Sequence, residues 1–346
     1  MLQSKNPTLT IGLIATLGFI AILGPFGSDA YLPALPIIAK DLSTSTTGVQ
    51  GTLSAFMIGM AFGQLLMGAL SDAFGRRRLI IIGTSLMAFA SLIAGLSNDL
   101  PLLLAACALI GFSSSTGMVV GRAQISDLAT GLSASRAFSL LGLFAGIGPI
   151  LGPLGGAVTL GIADWRWIFY TLAIIGAVAL ACMLLLPETL ELQNRSTLGG
   201  IATLQNYTKI LRDREYVFAI LQTAAASFMT FSYVASAPSV YMGHFGISET
   251  WFAVIFGANA VGLLAMTQIN RRLLKNIKVV RVLGGMVIFQ ASSGILLFAL
   301  GNLTESLFAV IPLVMLTLSA SPSIGGNSTT LALHNFKVNA AQASAL

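Results

Sequence analysis

Two charged residues of this chain stand out because apolar sequence surrounds them. Asp29 ends an apolar stretch of about twenty residues. Ionisable groups inside such stretches are expensive and indicate function by default, and a carboxyl held away from water is a candidate proton carrier. The alternative is an interfacial acid wetted from outside. Arg122 is the second candidate for proton coupling. Its position is explained equally well if it only fixes the orientation of its helix in the membrane, with its side chain reaching toward water.

An acid among bases marks a second candidate site. The segment from Gly68 to Arg78 reads Gly-Ala-Leu-Ser-Asp-Ala-Phe-Gly-Arg-Arg-Arg. Two helices must reverse here within a few residues, and Gly75 supplies a backbone that is free to take positive φ. Asp72 either forms a local ion pair in a simple turn or takes part in a conformational contact.

Glycine and proline dominate a third segment. Gly148, Gly152 and Gly156 recur at every fourth position and form one smooth helix face, which allows another backbone to approach closely. Pro149 and Pro153 interrupt backbone hydrogen bonds and bend the helix. We expect this face to pack against the second half of the chain; the alternative is a generic tightly packed helix.

Composition defines the setting of these residues. Hydrophobic residues make up 55% of the 346-residue chain and charged residues only 9%, whereas a soluble domain carries about 25% charged residues. Because a crossing needs about 20 apolar residues, the sequence predicts an all-α integral membrane protein with ten crossings: 9–28, 48–70, 79–97, 101–123, 137–160, 165–186, 216–238, 249–270, 279–300 and 305–333.

Basic residues divide unevenly between the two sides of the membrane. With the N-terminus in the cytoplasm, only Lys40 and Arg166 of the 18 Lys and Arg residues fall on the far side. Cytoplasmic loops carry an excess of these residues, so we predict a cytoplasmic N-terminus. The net charge of +6 follows from topology, and we expect membrane lipid, not nucleic acid, as its partner.

A charged stretch divides the chain. Six crossings precede 187–215 and four follow it, so we predict a six-helix bundle at 1–186, a cytoplasmic linker, and a second bundle at 216–346. By this count the second bundle is incomplete, since it lacks two crossings.

A weak internal repeat supports two related halves. A shift of 199 positions lays Gly63 over Gly262, and it lays the basic cluster near Arg76 over the cluster near Lys275. Repeats of this kind build a midplane site between two moving bundles in many transporters.

The motifs together resemble a known family. The Gly68–Arg78 spacing is similar to the loop signature of the major facilitator superfamily, and the glycine-proline segment is similar to the signature of its antiporter branch. Asp-x-Tyr-Leu-Pro-x-Leu-Pro from Asp29, Trp165-Arg-Trp-Ile-Phe169 and Leu186-Pro-Glu-Thr189 narrow the resemblance to the Bcr/CflA drug-resistance transporters. Cys107 and Ile110 depart from the drug-antiporter pattern, which puts an arginine and a glutamine there; if that arginine serves proton relay, this chain must couple differently or less well.

The resemblance implies a function and roles for residues. It implies a major facilitator fold and a proton-driven exporter of bicyclomycin- or chloramphenicol-type drugs in the bacterial inner membrane. We expect a monomer. The conformational latch would consist of Gly68, Asp72, Gly75, Arg76 and Arg77, and the antiporter helix would use Gly148, Pro149, Gly152, Pro153 and Gly156. Candidate residues for an apolar drug cavity are Tyr31, Phe112, Phe228, Phe231, Tyr233 and Phe256, although such aromatics more often pack or face lipid.

Other functions remain open at this point. The same scaffold could export a native metabolite, such as a sugar or amino-acid derivative, or the chain could be a truncated fragment that does not transport. Motifs of ATP-driven pumps and of common membrane enzymes are absent from the sequence, so we predict no enzymatic activity and no cofactor beyond the proton gradient. We also predict no metal site, since His244 and His334 lie on opposite sides and both cysteines fall in apolar crossings.

Overall fold

The computed structural model describes residues 11–129, 131–185, 187–195, 212–303 and 306–334. Every regular element in these ranges is helical. The α-helices are α1 (Ile11–Asp29), α2 (Leu35–Asp41), α3 (Thr46–Phe74), α4 (Arg76–Leu96), α5 (Leu100–Leu128), α6 (Gly131–Ile162), α7 (Arg166–Leu184), α8 (Arg214–Pro238), α9 (Glu249–Leu273), α10 (Val279–Leu303), α11 (Leu307–Ser319) and α12 (Ser321–His334).

The predicted all-α membrane architecture is confirmed. Nine helical spans among the described residues are long and apolar enough to cross a membrane, by length and composition. The predicted fifth crossing lies in α6, a helix of 32 residues whose described apolar part is Ile147–Ile162. The predicted tenth crossing is one span made of two helices, α11 and α12, which meet at Ala320.

Short polar side chains fix where several helices begin. Each residue lies just before the first turn and accepts a hydrogen bond from a backbone N–H that has no partner within the helix. These capping residues are Ser45 for α3, Asp99 for α5, Asp213 for α8 and Ser248 for α9.

The chain divides into two compact units, Met1–Leu198 and Gly199–Leu346. The division falls inside the predicted linker at 187–215, of which residues 196–211 lie outside the described ranges. The linker and the exact domain bounds therefore stay predictions.

Glycines set the closest helix contacts in the first unit. α3 and α5 cross at Gly59 and Gly111, where an added Cβ would overlap the backbone carbonyls of Ala108 and Phe56 respectively. Small residues allow such backbone approach in membrane helices. α4 packs on α7, and α1 packs on α6 and α5.

Side-chain amides form hydrogen bonds between helices of the second unit. Here α8 packs on α12, while α9 and α10 both pack on α11. Gln290 of α10 donates hydrogen bonds to the Thr317 carbonyl (3.2 Å) and to Ser321 Oγ (2.7 Å), so it joins the ends of α11 and α12. The Asn270 and Asn327 amides bond to each other in both directions.

The predicted repeat has a counterpart in the packing of each unit. Gly63 of α3 lies against Ser115 of α5, and Gly262 of α9 lies against Met315 of α11. The paired positions are separated by 199 and 200 residues. Each unit therefore uses a glycine of its second crossing to approach its fourth.

Candidate functional site

Asp29 lies where the first crossing breaks. Helix α1 ends at this residue, and a 3-10 turn at Leu32–Ala34 leads into the short helix α2. The Asp29 side chain is buried, and Ser28 Oγ donates a 2.7 Å hydrogen bond to Oδ1. No cation pairs with this carboxyl among the described residues. Within the described part of the chain, the break therefore holds a buried acid that has a hydroxyl partner but no counter-ion.

Tyr31 packs beside this acid in the turn. Its ring lies 5.4 Å from the Phe169 ring, and its hydroxyl is 3.2 Å from Thr52 Oγ1. The Thr52 hydroxyl is shared, because it is also placed to donate to the Val49 carbonyl at 2.6 Å. The thiol of Cys107 also lies near the Tyr31 hydroxyl. Tyr31 is fully enclosed here, so its predicted place in a drug cavity stays a prediction.

The glycine face of α6 lies against α1 and Asp29. An added Cβ at Gly148 would come within 2.7 Å of the Pro25 side chain, and one at Gly152 would come within 3.0 Å of Asp29 Cβ. At Gly156 it would overlap the Ala30 carbonyl. The predicted close approach of another backbone is confirmed, but the predicted partner was wrong: the face is directed at α1 of the same unit.

Arg76 organises one end of the first unit. Its buried guanidinium donates from Nε to Asp127 Oδ2 (3.1 Å) and from NH1 to Ser71 Oγ (2.7 Å) and to Asp72. Thr189 Oγ1 donates to the same Asp127 oxygen at 3.2 Å. The ends of α3 and α5 and the segment after α7 therefore meet at the start of α4.

Opposite charges cap the neighbouring ends of α4 and α7. Glu188 Oε1 accepts the backbone N–H of Arg76 at 2.9 Å, and Oε2 accepts that of Arg77 at 3.3 Å. In return, Arg77 NH2 donates to the Leu184 carbonyl at the end of α7 (2.6 Å). Acids stabilise helix N-termini and bases stabilise helix C-termini, so each element supplies the charge that its neighbour's end favours.

Gly75 is the turn residue of this cluster. Its φ is 99°, which confirms the predicted positive φ. A Cβ there would overlap the Glu188 carboxylate, so the position excludes a side chain on two grounds. Gly68 lies one turn before the cluster, and its carbonyl accepts the Ser71 hydroxyl at 2.9 Å.

The opposite end of the first unit has its own ion pair. Arg166 NH1 donates to Asp41 Oδ2 at 2.7 Å, and Trp165 Nε1 donates to the same oxygen at 3.0 Å. The guanidinium also reaches the Ser97 carbonyl at 3.3 Å. These contacts fasten α2 to the start of α7, and so they fix the far side of the break at Asp29.

Arg122 lies apart from Asp29. It is exposed on α5, fifteen residues beyond Cys107, and so lies about 22 Å along the helix axis from the level of Tyr31. It forms no ion pair within the described ranges. The structure therefore does not place the two predicted coupling residues together, and the role of Arg122 stays a prediction.

The predicted aromatic residues of the second unit occupy different environments. Tyr233 stacks on Phe256 with ring centroids 5.7 Å apart, and its hydroxyl accepts a 2.6 Å hydrogen bond from Asn259 Nδ2. Phe231 borders a groove of about 280 Å³ between α8, α9 and α12. Phe228 is 76% exposed. In the first unit, Phe112 is half-buried on α5 beside Gly59 and Gly63.

Sequence reasoning missed several residues of the two ends. Asp127 carried no local signal, because its partner is 51 residues away. Glu188 was noticed only as part of a motif, and nothing in the chain indicated its partner 112 residues earlier. No group of three or more His, Cys, Asp or Glu side chains in the described ranges could hold a metal ion. The His334 side chain lies outside the described part.

Comparison with known proteins identifies the family. The model of the Major Facilitator Superfamily matches residues 17–346. An uncharacterized MFS-type transporter, YdgK, of Bacillus subtilis is 38% identical over 268 residues, 77% of this chain and 67% of its own length. A bicyclomycin resistance protein homolog of Haemophilus influenzae is 30% identical over 348 residues, 100% of this chain and 86% of its own.

The solved structures agree on the fold. The crystal structure of a D-xylose-proton symporter matches 97% of this chain and 87% of its own with a TM-score of 0.67, at 18% sequence identity. The chain belongs to the major facilitator superfamily, and it is a multi-pass membrane transporter of that fold. The predicted resemblance and fold class are confirmed.

Proposed function

We propose that this chain exports small amphipathic drugs across the bacterial cytoplasmic membrane in exchange for protons. The observation that carries the proposal is the alignment of the whole chain with a bicyclomycin resistance protein homolog. The glycine-proline helix α6, which resembles the antiporter signature, supports outward exchange as the direction.

Asp29 is the proton-carrying group in this proposal. Its support is the buried position at a helix break, without a counter-ion among the described residues, and with the backbone of α6 directly against it. A carboxyl in these surroundings changes its contacts when it gains or loses a proton, since the ionised form needs more hydrogen bonds than Ser28 supplies. Protonation at Asp29 would therefore alter the packing of α1 on α6.

The charged cluster at Arg76 serves as the conformational latch. Gly68, Asp72, Gly75, Arg76 and Arg77 all lie in or beside one network that joins four segments of the first unit. Asp72 is 49% exposed at its side chain, so it keeps a free face for a further partner, whereas the Arg76 side chain is 10% exposed. Such an arrangement suits an acid that makes and loses contacts during transport.

Aromatic side chains of the second unit are the proposed substrate contacts. Phe231 borders a groove, and Tyr233 with Phe256 forms a stacked pair that carries a polar hydroxyl. Sites for small organic molecules are clefts lined mainly by apolar and aromatic side chains, with a few polar groups. Tyr31 and Phe112 complete the candidate set in the first unit.

The test is drug-driven proton exchange by the Asp29→Asn variant. In everted membrane vesicles acidified by respiration, bicyclomycin should release protons when the wild-type chain is present and release none with the variant. Asp99→Asn is the matched control, because Asn caps a helix about as well as Asp; its exchange should equal wild type. Exchange by Asp29→Asn with unchanged pH dependence would show that Asp29 is only an interfacial acid.

A further inference from the structure

The two related basic clusters of this chain differ in how their charge is balanced. In the first unit, Arg76 pairs with Asp72 and Asp127. In the second unit, the end of α9, the turn after it and the start of α10 together carry five bases and no acid, namely Arg271, Arg272, Lys275, Lys278 and Arg281. None of the five forms an ion pair in the described ranges, which include every acidic residue except Glu305.

An apolar groove opens directly beside these bases. It has a volume of about 640 Å³ and lies between α9 and α10, with Met266 and Leu273 on one wall and Gly285 and Phe289 on the other. Of the residues that line this groove, Arg281 carries the charge. The groove exists because α9 and α10 each pack on α11 instead of on each other.

We propose that this groove binds one anionic phospholipid, with an acyl chain between α9 and α10 and the headgroup phosphate on Arg281. Basic pockets between membrane helices are suited to anionic headgroups. The length of the groove suits an acyl chain. Phe289 lies eight positions after Arg281, which is about 12 Å along α10. One leaflet supplies roughly 15 Å of hydrocarbon, so a chain held at Arg281 would extend along the groove.

Charge complementarity selects the lipid over other occupants. A transmembrane helix of a second copy would fill the apolar part of the groove, but it would leave the five bases without a counter-ion. A zwitterionic lipid would bring a compensating ammonium close to those bases. An anionic headgroup fits both the groove and the charge.

The adjacent glycines of α10 provide a matched test of the groove. A Cβ at either Gly284 or Gly285 would meet nothing within 4 Å, so both positions accept a larger side chain. Only Gly285 lines the groove. Gly285→Trp should therefore exclude the acyl chain, while Gly284→Trp should not.

A second pair tests the headgroup contact. Arg281→Gln removes the base that lines the groove, and Arg271→Gln removes a base of the same cluster that does not line it. One basic residue near an anionic surface contributes enough to change binding about fivefold. We expect that loss for Arg281→Gln and a smaller effect for Arg271→Gln.

The measurement is native mass spectrometry of the purified full chain, delipidated and titrated with phosphatidylglycerol or phosphatidylethanolamine of identical acyl chains. Retention of one phosphatidylglycerol, weakened by Gly285→Trp and Arg281→Gln but not by the two controls, supports the site. Equal retention of both lipids, or equal loss in Arg271→Gln and Arg281→Gln, overturns it. A chain dimer that Gly285→Trp dissociates, without an effect on lipid, would assign the groove to a second copy instead. Should Gly285→Trp lower the monomer yield, Gly285→Leu repeats the test with a smaller side chain.

Discussion

Arg76 shows why one position in its charged cluster must be arginine. Its guanidinium contacts a serine and two acids that end different helices, and these contacts leave from two separate nitrogens. A lysine ammonium offers one compact charge and cannot reproduce a planar fork of donors. The two acids differ in exposure, since the Asp127 side chain is 18% exposed and that of Asp72 is 49% exposed.

That difference ranks the two acids by their effect on stability. Asp127→Asn should cost about 1.5–3 kcal/mol, because it weakens a largely buried charged hydrogen bond. Asp72→Asn should cost under about 1 kcal/mol, as exposed pairs do. Thermal unfolding of both variants in the same detergent measures the ranking. A larger loss for Asp72→Asn would contradict it.

Only some contacts of this cluster could be predicted from the sequence. The turn at Gly75 follows from residue type, because only glycine takes a φ of 99° readily. The local pair of Asp72 with Arg76 follows from their positions on either side of this turn, four residues apart. By contrast, Asp127 and Glu188 reach Arg76 only because α5 and α7 pack near the start of α4. No local sequence pattern encodes that packing.

At the scale of elements, the contact of α6 with α1 depends on the absence of side chains. Gly148, Gly152 and Gly156 meet Pro25, Asp29 and Ala30 in turn, so one helix follows the other over two turns. The periodic glycines were readable from the sequence, and they predicted a close neighbour. They could not identify that neighbour, because a smooth face accepts any backbone.

Two glycines of α6 give a matched test of this contact. Gly156→Ala should destabilise the first unit by about 1–3 kcal/mol, since its methyl group would overlap the Ala30 carbonyl. Gly161→Ala meets nothing within 4 Å and should be neutral or stabilising by up to about 1 kcal/mol, because alanine favours helix more than glycine does. The measurement is the melting temperature of each variant relative to wild type. Equal melting temperatures for the two variants would mean that α1 and α6 separate easily to admit the methyl group.

The tenth crossing contains a turn that its apolar sequence does not reveal. The apolar run predicted a crossing at 305–333, and within it the structure has a turn at Ala320 between α11 and α12. Gln290 bonds to groups on both sides of the turn. Since such a contact comes from another helix, hydropathy alone gave no indication of it.

At the scale of the whole molecule, the two ends of the first unit carry different charge. One end holds Arg76, Arg77 and Arg195 with their acids, and the other holds Arg166 with Asp41. The same division appeared in the sequence, where Lys40 and Arg166 alone fell on the far side. The bias in basic residues sets orientation in membranes, so we expect the end with Arg76 to face the cytoplasm.

Cysteine labelling tests that orientation. Asn98 and Asn276 are exposed in turns that the charge bias assigns to opposite sides. In a Cys182→Ala background, where the remaining Cys107 is buried, an impermeant maleimide added to intact cells should label Asn98→Cys and not Asn276→Cys. Permeabilised cells should show both labels. Labelling of Asn276→Cys from outside would reverse the assigned topology.

The reciprocal caps at Glu188 and Arg77 can form only after the chain has been translated as far as Glu188. Glu188 follows Arg76 by 112 residues, so a ribosome adding roughly 5–20 residues per second reaches it about 6–22 s later. For that interval the nascent third crossing has no cap at its N-terminus, and Arg77 has no helix end to bind. The first six crossings can therefore enter the bilayer one by one, but the final structure of their charged end must wait for translation to pass the sixth.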